Sequence, residues 1–114
     1  MILNTNTLPR MIDISCVKAE HTIQDLKDMV KLAKERNFIC CFSMPCFTPW
    51  LTEQLRDEKD ILVGAPVGFP SGAVSTTSKI LDVVEQKKLG CREFDMVINV
   101  GALKSGMYDV VEND

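Results

Sequence analysis

Apolar residues alternate along this 114-residue chain between two rhythms. Four short, near-continuous apolar runs, Arg10 to Cys16, Phe38 to Ser43, Ile61 to Val67 and Phe94 to Asn99, have the length and composition of buried strands. Between them the spacing changes. Ile23, Leu26, Met29, Val30 and Ala33 recur at intervals of three and four, which predicts one buried face of a helix. Thr22 is placed to cap that helix, with Asp25 three residues on, and the pattern stops near Arg36-Asn37. A second helix is expected from Pro49 to Arg56, since proline is tolerated in a first turn where its missing N–H is an orphan anyway. A third runs from about Ser75 to Lys88 and closes at Gly90 after basic residues, and another begins at Met107. Short strands alternating with longer amphipathic helices predict a parallel sheet covered on its outer face. Periodicity alone does not separate a barrel from an open doubly wound sheet. The strand-helix unit repeats as architecture, not as sequence, and no low-complexity segment or linker interrupts it.

Composition adds exclusions. The chain is 46% apolar and 25% charged, ordinary for a globular α/β protein, and its length suits one modest domain. A net charge of -3 argues against a nucleic-acid partner, which would want a basic face. No run approaches the roughly 20 apolar residues of a membrane span. The opening Met1-Ile2-Leu3-Asn4-Thr5 lacks the basic flank and long apolar core of a signal peptide. Five cysteines, at 16, 40, 41, 46 and 91, form neither a disulfide framework nor a zinc-site spacing. Cys40 and Cys41 are adjacent on a strand and point to opposite faces. They read as small hydrophobes in a reducing cytoplasm, with Cys46 beside Pro45 at a loop as the one redox alternative.

The chemistry is concentrated late in the chain. In Glu93-Phe94-Asp95-Met96-Val97-Ile98-Asn99-Val100-Gly101-Ala102-Leu103-Lys104-Ser105-Gly106, Asp95 sits inside a strand signal, where an ionised side chain is costly without a partner. A Gly-Ala-Leu-Lys-Ser-Gly turn then leads towards a helix. A carboxylate in a buried strand before such a loop suits proton transfer at the mouth of an α/β barrel. On residue type alone it is equally a structural carboxylate. Lys104 reads as a solvated loop lysine and His21 as an exposed residue before a cap. Gly68-Phe69-Pro70-Ser71-Gly72 lacks the Gly-Lys-Ser/Thr ending of a nucleotide loop and reads as a tight turn that places Phe69.

The stretch Asp95 to Gly106 closely resembles the signature of the deoxyribose-phosphate aldolase family. Further family-like stretches follow the expected order: Ile12-Asp13, Met44-Pro45-Cys46-Phe47, and Val67-Gly68-Phe69-Pro70-Ser71-Gly72-Ala73. The resemblance runs from about Met11 to the last residue. It implies the N-terminal half of a (β/α)8 TIM barrel, about three and a half to four βα units, with residues 1–114 forming a single partial domain of a fold that typically needs about 250 residues. It implies cleavage of 2-deoxyribose 5-phosphate to glyceraldehyde 3-phosphate and acetaldehyde through a lysine Schiff base, without metal or other cofactor.

By the same resemblance, Asp95 falls where the family keeps its acid/base aspartate, in a water-mediated proton relay. Asp13 falls where an aspartate sits beside a second, pKa-lowering lysine. Ser15 keeps a hydroxyl where many members have Thr, so a supporting hydrogen bond can survive there. Ile14 replaces a family His. Val17 and Phe69 are expected in the pocket wall. The Schiff-base lysine, its depressing partner and most of the phosphate loops belong to later strands than this chain contains. The chain alone is therefore expected to be inactive and to self-associate through its open barrel edges. Two other readings stand beside this one: a non-catalytic half-barrel fragment or assembly module, and an aldolase that uses Lys18 or Lys104 as a substitute nucleophile.

Overall fold

A computed structural model describes residues 3–114, so Met1 and Ile2, the first residues of the stretch read for a leader, lie outside the described residues. Four strands, β1 (Asp13–Cys16), β2 (Cys40–Ser43), β3 (Leu62–Val67) and β4 (Glu93–Met96), form one sheet in the order β1-β2-β3-β4. All three neighbouring pairs are parallel, with Asp13 opposite Cys40, Cys40 opposite Leu62, and Gly64 opposite Glu93. Each strand lies beside its predecessor. Right-handed crossovers taken in that order place every connecting helix on the same face, whereas a doubly wound sheet reverses direction. The architecture is half of a (β/α)8 barrel.

The connecting helices are α1 (Ile23–Arg36), α2 (Thr48–Gln54) and α3 (Thr76–Lys88), followed by short α4 (Val100–Lys104) and α5 (Tyr108–Asn113). α1 begins as its sequence predicts. The Thr22 hydroxyl accepts from the Asp25 backbone N–H at 3.4 Å, and the Asp25 carboxylate accepts from the Thr22 N–H at 2.7 Å. That backbone donor, helped by the Thr22 hydroxyl, holds the Asp25 carboxyl below the usual carboxylate range. Leu26, Met29, Val30 and Ala33 of α1 pack with Cys41, Val63 and Ala65 of the sheet and Leu51 of α2. This layer between sheet and helices is the core.

Several boundaries differ from the sequence reading for identifiable reasons. β1 starts at Asp13, because Pro9 helps set a 3-10 turn over Leu8–Met11. A second 3-10 turn, Pro45–Phe47, precedes α2, which ends at Gln54 before reaching Arg56. β4 covers Glu93–Met96 and stops before Asn99, although the apolar run continues. Asn99 is instead the cap of α4, its side chain accepting from the Ala102 N–H at 3.0 Å, so the expected Gly-Ala-Leu-Lys turn is a short helix. His21 is half-buried, not exposed, because its ring accepts from the Lys18 N–H at 3.2 Å.

Two glycines separate conformational need from crowding. Gly72 (φ +68°) has a tight neighbour: a Cβ there would lie 2.1 Å from the Ile98 carbonyl oxygen. Gly106 (φ +72°) meets nothing within 4 Å. Gly106→Ala should cost about 1–2 kcal/mol for left-handed backbone alone. Gly72→Ala should cost clearly more, because the backbone at Ile98 has to move as well. Thermal unfolding of both variants checks this, and equal losses would refute the crowding argument.

Candidate functional site

Alternation along the strands divides the sheet into two faces. Ile14 and Cys16, Cys41, Val63 and Ala65, and Phe94 join the helix-side core. Asp13, Ser15, Cys40, Phe42, Gly64, Glu93 and Asp95 therefore face the concave side. Phe42 and Gly64 show how tightly that side is built. A Cβ on Gly64 would lie 2.5 Å from the Phe42 ring, so the ring lies flat across the glycine and is itself 3% exposed.

The concave face carries a row of acids. Oxygens of Asp13 and Glu93 and the sulfur of Cys40 all lie within 4.8 Å of one another. Asp95 follows Glu93 by two residues on the same face of β4. Burial pushes the Glu93 carboxyl above its usual value, and the charges of Asp13 and Asp95 push it further. Burial also drives the Cys40 thiol up, with Glu93 and Asp13 adding to it. A neutral thiol between carboxyl groups suits hydrogen bonding better than metal ligation, which requires the thiolate. Cys41, on the core side, is pushed up to about 12 by desolvation. All five cysteines are free, and only Cys46 is exposed.

The sequence-predicted residues are distributed as follows. Asp13 and Asp95 are both exposed on the concave face, and Glu93 is the group that senses them both. Asp95 was expected in a buried strand. It is exposed because this half-barrel leaves the concave side of β4 open. Ser15 is exposed on the same face, and its hydroxyl has no partner among the described residues. Val17, half-buried, follows the carboxyl end of β1. Phe69 is 40% exposed beyond β3 and lines a cavity of about 220 Å³ with Met44, Pro45, Pro66 and Val74. Phe69 and Met44 thus come together at the carboxyl ends of β3 and β2, where a barrel builds its binding loops.

Glu93 escaped the sequence reading. The signal for it was its i, i+2 spacing from Asp95, which puts both carboxyls on one strand face. A carboxyl whose folded value is raised contributes stability that is complete below its unfolded value and is lost as pH rises through the folded one. Glu93→Gln should therefore gain stability on the parent chain as pH rises from about 4 towards 7, with little difference at the acid end. Melting curves across that range test it, and a gap that shrinks with rising pH would contradict the assignment.

No protein-family model matches the chain. It is 41% identical over 107 residues to the deoxyribose-phosphate aldolase of Rhizobium meliloti (strain 1021), covering 94% of this chain and 43% of that protein. It is 37% identical over 112 residues to the deoxyribose-phosphate aldolase of Klebsiella pneumoniae subsp. pneumoniae, covering 96% of this chain and 45% of that one. Among solved structures, a putative deoxyribose-phosphate aldolase from Coccidioides immitis superposes with a TM-score of 0.90 at 22% identity, over 97% of this chain and 44% of that one. The tetrameric deoxyribose phosphate aldolase from Aeropyrum pernix superposes at 0.77 with 19% identity, over 96% of this chain and 50% of that one. The chain spans about half the length of the curated relatives it matches. With its motifs in order, its sheet wound as half of a barrel and its similarity extending over 94% of its residues, the chain resembles about half of a deoxyribose-phosphate aldolase.

Proposed function

We propose that residues 1–114 are a single partial domain, the N-terminal portion of a cytoplasmic deoxyribose-phosphate aldolase that reversibly cleaves 2-deoxy-D-ribose 5-phosphate to D-glyceraldehyde 3-phosphate and acetaldehyde. The observation that carries this reading is Asp95. It stands on the concave face of β4 within the family-like motif, two residues from Glu93, whose carboxyl also meets Asp13. In a class I mechanism a lysine amine condenses with the substrate carbonyl and expels water. The hydroxyl on the departing carbon then loses its proton, and breaking the carbon–carbon bond sends its electron pair into the iminium, releasing glyceraldehyde 3-phosphate and leaving an enamine. The enamine is then protonated at carbon, and hydrolysis of the imine frees acetaldehyde. Each step moves a proton, and a positioned carboxylate with water is suited to that work.

Under this reading Asp95 is the relay acid/base, and Asp13 on β1 is the catalytic aspartate that sits beside the second, pKa-lowering lysine. Ser15 offers a hydroxyl to the pocket, with Val17 and Phe69 in its wall. The imine lysine, its pKa-lowering partner and the late phosphate loops belong to the other half of the barrel. The reaction uses no metal or other cofactor. Lys18 is exposed beyond β1 and Lys104 is exposed at the end of α4, neither of them enclosed in a pocket of this half-barrel.

A second reading, the assembly module, is favoured by a specific observation. Ile80, Leu81 and Val84 of α3, Met96 of β4, Leu103 of α4 and Tyr108 of α5 are all exposed, Tyr108 by 68%. Ile80, Val84 and Met96 line one hollow beside β4, an edge strand of the sheet, and an uncovered edge with apolar surface drives association. Both readings predict that the isolated chain self-associates. Sedimentation at micromolar concentration should show dimers or larger species, and a compact, stable monomer would count decisively against it.

Activity separates the two. Borohydride reduction of the isolated chain with substrate should leave every lysine mass unchanged, and a trapped adduct on Lys18 or Lys104 would revive the substitute nucleophile. In the full-length aldolase carrying these residues, Asp95→Asn should lower turnover on the order of a hundredfold, the usual worth of a positioned acid/base. Ser15→Ala should cost roughly 1 kcal/mol, one supporting hydrogen bond. Near-normal retro-aldol rates in Asp95→Asn would make Asp95 structural.

A further inference from the structure

Lys79 on α3 is 3% exposed, and nothing in the proposed chemistry uses it. A buried ammonium is costly unless its donors are satisfied. Here its Nζ donates to the Val97 carbonyl at 3.0 Å and pairs with the Asp114 carboxylate. The second Asp114 oxygen accepts from the Thr76 hydroxyl at 2.7 Å. Together, Lys79 first and Thr76 next, they hold the Asp114 carboxyl below its usual range. The stem of Lys79 passes directly beneath the end of β3: a Cβ on Gly68 would lie 2.9 Å from its Cε.

Val97 comes two residues after Asp95 and one after the last residue of β4. Its N–H bonds to the Val67 carbonyl at 3.0 Å, so β3 holds the peptide that enters Val97 and Lys79 the peptide that leaves it. The next carbonyl, of Ile98, is in close contact with Gly72. The exit of β4 is therefore gripped at successive peptides by groups from β3, α3 and the loop between them. An apolar side chain of the same length would fill this space but leave the buried Asp114 carboxylate without its partner, which is destabilising by itself. It would also lose the hold on the Val97 carbonyl, and that second loss is the local one.

We propose that Lys79 is a positioning residue for Asp95: its bond to the Val97 carbonyl fixes where β4 ends, and so fixes the direction in which Asp95 presents its carboxylate. The assignment rests on the relay reading of Asp95. Lys79 acts from the helix side, through the backbone, and touches no substrate. A displacement of about 1 Å in a reacting group can cost on the order of a hundredfold in rate, so a loosened strand exit is enough to matter.

Two measurements test it. In the chain itself, Lys79→Met should speed amide hydrogen exchange at Val97 and Ala102 at least about tenfold while leaving β1 and β2 unchanged, as local opening does. Uniform acceleration across the sheet would make Lys79 a general stabiliser and overturn the proposal. In the full-length aldolase carrying these residues, Lys79→Met should lower kcat roughly ten- to hundredfold with KM within about twofold, and Lys79→Arg should recover most of the loss. In an Asp95→Asn background the same change should cost less than about twofold, because no relay is left to misalign. Full additivity of the two substitutions overturns the Lys79 assignment and leaves Asp95 in place. An undiminished rate in Asp95→Asn removes the relay reading instead, an outcome distinct from the exchange result. If Lys79→Met does not fold, Lys79→Gln, whose amide falls short of the Val97 carbonyl, is read in the same way.

Discussion

Everything in this half-barrel follows from covering one face of a parallel sheet. Parallel strands cannot be joined by tight turns, so each must be returned by a crossover, and same-handed crossovers in sequential order bring every helix to one side. Val63 and Ala65 at the centre of β3 meet Leu51 of α2 and the apolar stripe of α1 in one buried cluster. Polar links tie the same layer together. The Thr48 hydroxyl of α2 donates to the Gln86 side chain of α3 at 2.6 Å, with both residues buried, and the Thr52 hydroxyl donates to the Leu89 carbonyl at 2.9 Å. Buried polar groups satisfied in this way fix the helices' relative placement more sharply than apolar contact alone.

The two ends of the sheet are held by different devices. At the amino end, Arg10 donates to the Phe38 carbonyl at 3.0 Å and the Asp60 carbonyl at 2.6 Å, the residues that lead into β2 and β3. One guanidinium thus ties the starts of two strands to the turn before β1, a use its fork of donors allows and a single ammonium would not. At the carboxyl end, Lys79 holds one carbonyl at the exit of β4. In barrels the amino face serves stability and the carboxyl face serves chemistry. The division of labour between these two cations has the same sense.

The concave face is the complement of that core. Because the strands alternate, the same packing that buries Cys41 and Phe94 on the helix side turns Cys40, Glu93 and Asp95 to the other side. On this face burial pushes the Glu93 carboxyl upward, and the charges of Asp13 and Asp95 add to the push. A face with this character is suited to holding and passing protons once the rest of a barrel encloses it.

Much of this was written in the order of the residues. The helical stripe of α1, its Thr22–Asp25 cap, the four strands and the opposed faces of Cys40 and Cys41 are consequences of local periodicity and short-range hydrogen bonds, which a linear chain displays directly. The motif around Asp95 marked the place where chemistry should be sought. The end of β4 was not legible, because Val97 to Val100 are as apolar as the strand before them, and the helix start at Asn99 depends on a side chain turning back to the Ala102 N–H. Nor were the partners of Arg10, Glu93 and Lys79. Glu93 meets Asp13 from across the sheet, and Lys79 reaches a carbonyl eighteen residues away in sequence. Such pairs form only when strand register and helix docking bring distant segments within a few ångströms. The sequence by itself set which segments become strands and helices and which faces they bury, while tertiary structure alone decided which charges meet on those faces.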